Sequence, residues 1–273
     1  MNRYLKLVNF EISRFIKLYF VLIAITIISQ VTGAIILSNQ YVNKANKAIY
    51  QHGGSMEQFI NEHGPMSMYQ VNFSLWFMGP IALCIAALIF YTFFIWYRDW
   101  FAKNTFVYRL FMLPTARINV YLAKATSIFL MVLGLVALQL LLIPLQSTIL
   151  KWIVPREYRL DMSVNEVIES FRYFQILLPQ SFIEFMIHYG IGFMIVFIVF
   201  TAILFERSFR WKGIFLGAVY GVLAIILFVW PFFLLTDYLY PIEFLVVETV
   251  LGLIVIAMSI LVSHYLLTKK ITV

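Results

Sequence analysis

Glu184 and His188 stand four residues apart in an apolar stretch, which sets both on one face of a helix. A carboxylate beside an imidazole can relay protons, and ionisable groups inside membrane spans are functional candidates by default. Near the interface the same pair would instead be solvated or would meet lipid headgroups. Glu248, following Pro241 and Glu243, lies deep enough in another apolar run to face a cavity. Gln139 lies in the middle of a third run. An amide there seeks an interhelical hydrogen bond worth about 0.6–2 kcal/mol, either as glue between helices or as part of a pathway lining. Beyond these intramembrane polar residues little chemistry is on offer. His52, His63, His188 and His264 are scattered, and neither H-E-x-x-H nor G-x-S-x-G occurs. The lone Cys84 excludes an intrachain disulfide and any metal site built on cysteines. The glycines never take the G-x-x-x-x-G-K-[ST] spacing that cradles phosphates. The chain therefore reads as a non-enzyme with no catalytic residue, metal or cofactor of its own, and any ATP hydrolysis driving it must reside in another polypeptide.

What must position these residues follows from composition. Of 273 residues 63% are apolar and 12% charged, against about 45–50% and 25% in soluble domains. Mean hydropathy is +0.90. These values exclude a cytosolic enzyme, a secreted domain and a nucleic-acid partner for the +7 net charge. A bilayer core of about 30 Å needs roughly 20 apolar residues in a helix, and six runs qualify: 15–37, 73–97, 118–150, 182–205, 214–235 and 244–267. The third exceeds one straight span, its apolar heart starting near Ser127, so its first part is expected to project beyond the membrane. The fold class expected is all-α, a single polytopic transmembrane domain over 1–273 with six spans.

Charge orients the spans. Fourteen Lys and Arg fall before span 1, between spans 2 and 3, between 4 and 5, and after 6, together with only Glu11, Asp99 and Glu206 as acids. Basic residues flanking spans stay on the cytoplasmic side. Both termini are thus expected inside, in an inner (plasma) membrane, with outside loops at 38–72 and 151–181. No signal-peptide cleavage site follows the first run, so span 1 is expected to remain in the mature chain.

The connecting segments have their own patterns. Leu5, Val8, Ile12, Phe15, Ile16 and Tyr19 share one helical face, opposite Lys6, Asn9, Ser13 and Lys17. This predicts an interfacial amphipathic helix over 1–14, the alternative being a span that starts early. Ser55 with Gln58 and Ser163 with Glu166 have capping-box spacing. The first predicts a short helix through Asn61. The second predicts one carrying Val164, Val167, Ile168, Phe171, Phe174 and Leu178 to Pro179, resting on the outer leaflet or capping the spans. Gly213, Gly217 and Gly221 recur every fourth residue, a face that admits a close helix neighbour, expected within the chain rather than in a second subunit. Pro80 and Pro144 are expected to kink spans 2 and 3. The segment 98–117 is longer than a hairpin needs. It sets Trp100, Phe101, Val107, Leu110, Phe111, Met112 and Leu113 among Lys103, Arg109 and Arg117, and Pro114 breaks its helix. Such a segment either lies on the membrane or docks a soluble partner.

The stretch Leu110-Phe-Met-Leu-Pro-Thr-Ala-Arg117, followed by Ile-Asn-Val-Tyr-Leu-Ala-Lys124, resembles the "L-P-x-x-R … K" element of type-2, exporter-like ABC transporter permease subunits. An interfacial helix followed by six spans with both ends inside is similar to their layout over nearly the whole chain, whereas the motif covers about fifteen residues. The resemblance implies a pathway formed with a second permease chain, identical or a sister, among membrane lipids. It also implies cytoplasmic P-loop ATPase subunits that carry the ATP and Mg²⁺. Coupling would run through a short helix at about Trp100–Leu113, with Trp100, Phe101, Val107, Leu110, Phe111, Leu113 and Arg117 as coupling residues. Arg117 and Lys124, which match the family's basic positions, would have structural or headgroup-binding roles. Short re-entrant helices near Pro231, Asp237 and Pro241 are a further implication. The outside loops depart from the pattern in carrying no substrate signature. The cargo expected is amphipathic: a peptide, antibiotic, lipid or glycan. A membrane sensor or assembly module that docks a cytoplasmic partner through 98–117, and transports nothing, is the alternative.

Overall fold

In the computed structural model the described residues are 3–50, 53, 55–101, 106–234, 238 and 240–271. They form α1 (Arg3–Tyr50), α2 (Met56–His63), α3 (Met68–Asn72), α4 (Leu75–Phe101), α5 (Phe106–Phe111), α6 (Arg117–Ile153), α7 (Val164–Ser170), α8 (Arg172–Leu177), α9 (Phe182–Phe209), α10 (Trp211–Leu234) and α11 (Pro241–Tyr265). Apart from one bridge pairing Met66 with Arg159, no extended pairing occurs among the described residues. Six of the helices, α1, α4, α6, α9, α10 and α11, are long and apolar enough to cross a membrane.

Several local expectations change. The N-terminal amphipathic segment is not a separate helix: α1 runs unbroken for 48 residues, about 72 Å at 1.5 Å per residue. Val8 and Phe15 of its apolar face are buried, but Leu5 is exposed and the acid Glu11 is buried instead. The helix expected from Ser163 to Pro179 is two, because the chain turns extended at Phe171 between α7 and α8. The coupling helix is shorter than expected: Trp100 and Phe101 finish α4, and α5 spans only six residues. Lys103 lies outside the described residues. α4, α6 and α10 continue through Pro80, Pro144 and Pro231. Of the re-entrant region, Asp237 is outside the described residues, and Pro241 opens α11.

The chain divides into two compact units. One comprises 15–87 and 132–180. Both predicted capping boxes form there, at Ser55–Gln58 and at Ser163–Glu166. The Ser163 amide donates to the Glu166 carboxylate at 2.6 Å and holds that carboxyl below its usual range. Phe59, Met66, Val71, Val167, Phe171 and Phe174 from the loops share one core with Ala34 and Tyr41 of α1 and Ile143 and Leu150 of α6. The loop helices therefore cap the spans by burying their own apolar faces. Deeper in this unit Gln30 of α1 donates to Gln139 at 3.2 Å and accepts from Gln146 at 2.9 Å. Gln139 thus ties two helices together, as expected of an amide with no water to bind.

The other unit comprises 1–14, 88–131 and 181–273. Here α9, α10 and α11 pack on one another around Met194, Ile198, Ala224 and Val255. The glycine face of α10 meets α9. A methyl on Gly213 would lie 2.0 Å from the Phe205 carbonyl oxygen, and one on Gly217 2.8 Å from that of Ala202. Gly221 would meet only Ile198, at 3.7 Å. The close neighbour is thus within the chain, as expected. Arg210 alone joins α9 to α10, at φ 54° and ψ −130°, a region that favours glycine.

Candidate functional site

The base of the second unit is organised by five charged residues from three helices. Lys124 of α6 is fully buried. Its Nζ donates to Glu11 Oε1 of α1 at 2.7 Å, to Asp99 of α4, and to the Ile95 carbonyl at 3.2 Å. Arg14 of α1 donates to Asp99 Oδ1 at 2.6 Å, and Arg98 of α4 to Glu11 Oε2 at 3.0 Å. Glu11 is 2% exposed and Asp99 0%. A charge so placed is tolerable only if it is paired and hydrogen-bonded. Each acid here meets at least two cations and each cation at least one acid. The indole of Trp96 lies 5.3 Å from Lys124 Nζ and completes the enclosure.

From this cluster two sets of contacts extend. Trp96 and Tyr121 pack on Phe200 of α9. The Tyr121 hydroxyl donates to the Phe197 carbonyl at 3.1 Å and lies 3.3 Å from Thr201 Oγ1. Thr201 in turn meets Ser263 of α11 at 3.0 Å, and Tyr220 of α10 meets Ser259 at 2.6 Å. Hydroxyls thereby join α6, α9, α10 and α11 through buried and half-buried polar contacts. On the other side, Arg14 sits 5.1 Å from the rings of both Phe10 and Phe106, which stack on each other. Through these rings α5 is fixed to α1 and, by Arg14, to the ion cluster.

Between the first turns of α1 and α5 lies a groove of about 490 Å³. Leu7, Phe10, Phe106 and Leu110 form its apolar walls, and Arg3, Lys6 and Arg109 stand at its rim. Arg3 donates to the Pro114 carbonyl. Among the described residues none of the three has an acidic partner.

The expected coupling residues separate into two groups. Val107, Leu110 and Phe111 are buried, because the apolar face of α5 packs into its own unit rather than presenting itself to a partner. Trp100 packs edge-on against Tyr108, and Arg207 of α9 lies between Trp100, Phe101 and Tyr97. Arg117 also turns inward. Its guanidinium donates to the Leu267 and Ile271 carbonyls at 2.7 and 2.8 Å, closing the π-helical turn Leu266–Lys270 that follows α11. Exposed apolar surface remains at Phe101 (74%), Met112 (71%) and Leu113 (41%).

Of the intramembrane polar residues in this unit, Glu184 and His188 belong to α9 and Glu248 to α11. Glu184 serves the start of α9, where its amide donates to Ser181 Oγ. His188 Nδ1 is buried and has no hydrogen-bond partner among the described residues. Glu248 lines a separate cleft between α9 and α11. Sequence reasoning missed the ion cluster altogether, counting Glu11 and Asp99 only against the topology. The available signal was that the two acids interrupt otherwise basic segments, one with Arg14 a turn away and one beside Arg98. The described residues hold no group of three or more His, Cys, Asp or Glu that could bind a metal. No protein-family model, curated protein or solved structure matches this chain.

Proposed function

We propose that the chain is the membrane-spanning permease subunit of an ATP-driven exporter, pairing with a second permease chain and with separate cytoplasmic P-loop ATPase subunits. Both termini would face the cytoplasm of a plasma-membrane protein, on the strength of the basic residues flanking the spans. ATP and Mg²⁺ belong to the partner. The cargo would be amphipathic.

One observation carries this reading: Phe106, in the segment after α4, packs on Phe10 and Arg14, and Arg14 belongs to the buried ion cluster that joins α1, α4 and α6. A subunit driven from outside needs a contact that cannot yield before the helices do. Close-packed interiors transmit displacement rather than absorb it, and a buried charge cluster resists being pulled apart because separating its helices takes buried acids away from their cations. Force applied to α5 reaches Asp99 through Phe106 and Arg14, and Lys124 passes it to α6. The groove rimmed by Arg3, Lys6 and Arg109 suits an acidic segment with apolar side chains, and Leu113 of its lining and the adjacent Met112 are exposed.

The test is affinity purification of the tagged chain from its native membrane in mild detergent, followed by mass spectrometry. A stoichiometric P-loop ATPase, lost in the double variant Arg109→Glu/Met112→Asp, is the expected result. If no ATPase is recovered under conditions that keep other membrane complexes intact, the exporter reading fails and that of a sensor or assembly module replaces it.

A further inference from the structure

α9 and α11 do not close on each other along their whole length. Between them, with Phe228 of α10 at the back, lies a cleft of about 380 Å³, within the range of about 300–1,000 Å³ typical of small-molecule sites. On α9 the lining runs from Phe182 to Met194, about 18 Å along the helix. On α11 it ends at Ile256. The walls are apolar with two exceptions, Glu248 and Thr249. The Thr249 hydroxyl is spent on the Leu245 carbonyl in its own helix, at 2.8 Å. Glu248 has no hydrogen-bond or ion-pair partner among the described residues.

A carboxylate in an apolar stretch is costly unless something positive meets it. The chain does not supply that charge from these helices. Arg207 closes α9, Arg210 joins it to α10, Lys212 opens α10, and Lys269 and Lys270 follow α11. All lie beyond Met194 and Ile256, at the far ends of α9 and α11 from Glu248. His188 belongs to α9 but does not line the cleft. Two phenylalanines, Phe182 and Phe228, do line it, and aromatic faces attract quaternary and other organic cations. Met186 and Met194 add walls that adapt to different apolar shapes. Glu248 sits eight residues before Ile256, so about 12 Å of apolar cleft extends beyond the carboxylate. The site has a place for one positive head and a longer place for a tail.

We infer that the cleft between α9 and α11 binds a cationic amphiphile, with its positive head on Glu248 and its apolar body along Met194 and Ile256. This goes beyond the exporter reading and does not depend on it, because binding requires neither ATP nor a partner.

The test uses the full chain in nanodiscs of uncharged lipid, without nucleotide. Two fluorescent probes are titrated and followed by polarisation: rhodamine 6G, a lipophilic cation, and Nile red, a neutral dye of similar size. Glu248→Gln keeps the shape of the side chain and removes its charge. It is expected to weaken rhodamine 6G binding about tenfold or more, the scale of a lost charge-assisted contact, while leaving Nile red unchanged. Gly190→Leu supplies a second variant. Gly190 lines the cleft and a Cβ there would meet nothing within 4 Å, so a leucine has open space to enter and should weaken both probes, with the melting temperature of the variant checking that the fold is kept. Unchanged rhodamine 6G affinity in Glu248→Gln would overturn the proposal. So would an equal loss of both probes in that variant, since the carboxylate would then be structural and not selective. Failure to recover an ATPase partner would leave this result untouched.

Discussion

Lys124 Nζ lies 2.7 Å from Glu11 Oε1 across 113 residues of sequence, with neither side chain reaching solvent. The contact makes α1 and α6 electrostatically interdependent, and Asp99 extends the dependence to α4. Its energetics are asymmetric. Three cations share two acids, so loss of an acid leaves a larger excess of buried positive charge, whereas loss of Lys124 leaves Arg14 and Arg98 balancing Glu11 and Asp99. Glu11→Gln is expected to cost about 3–5 kcal/mol, the usual scale for breaking a buried pair, and Asp99→Asn a similar amount. Lys124→Met should cost clearly less. Thermal unfolding of the purified variants in one detergent gives the order, and a Lys124→Met variant less stable than Glu11→Gln would refute this account of the cluster.

The glycine face of α10 predicts a graded series. Gly213→Ala would drive a methyl into the Phe205 and Glu206 backbone, and Gly217→Ala would press on Ala202. Both must shift a helix, the first more than the second. Gly221→Ala makes ordinary contact with Ile198 and removes a helical glycine, a gain of up to about 1 kcal/mol. The expected order of melting temperatures is therefore Gly221→Ala highest and Gly213→Ala lowest. Equal effects at the three sites would mean that the packing of α9 on α10 differs from that described.

Arg210 occupies a backbone region that side chains avoid. Arg210→Gly should relieve strain of about 1–3 kcal/mol and raise the melting temperature despite losing a charge. A lower melting temperature would show that the guanidinium stabilises the junction by more than its backbone costs.

Around α5, the buried and exposed apolar residues should behave differently on mutation. Phe111→Asp places a charge in a packed interior and should sharply lower the yield of folded protein. Met112→Asp, at an exposed position, should leave yield and melting temperature unchanged and reduce co-purification of an ATPase. If the two variants are equally well folded, the burial of α5 is wrong.

What the sequence revealed and what it hid follow the range over which each feature acts. Ser55 with Gln58, and Ser163 with Glu166, are three residues apart, and both boxes close as their spacing predicts. The four-residue glycine repeat and the isolated Gln139 amide were equally legible, because each states its need within one helix. The direction in which α5 turns was not. Val107, Leu110 and Phe111 mark an apolar face, but no local pattern says whether that face seeks another protein or the chain's own interior. The ion cluster was hidden for a related reason: its members come from three helices, and each looks like an ordinary flanking charge beside its own span. The third acid of the basic segments, Glu206, behaves similarly. It accepts a hydrogen bond from Tyr97 and lies 3.4 Å from Arg207.

The order in which the cluster's residues leave the ribosome bears on how the protein is made. Glu11 and Arg14 emerge first, then Arg98 and Asp99, and these four balance one another. Lys124 comes last, on a helix that must seat a cation among apolar neighbours. The two acids it needs are by then already in the nascent chain, so the third span enters towards an existing counter-charge. A chain that stalls before Lys124 would hold four charges in balance but lack the residue that bonds to both acids. Correct insertion of α6 would then be the step that commits the first three spans to one another.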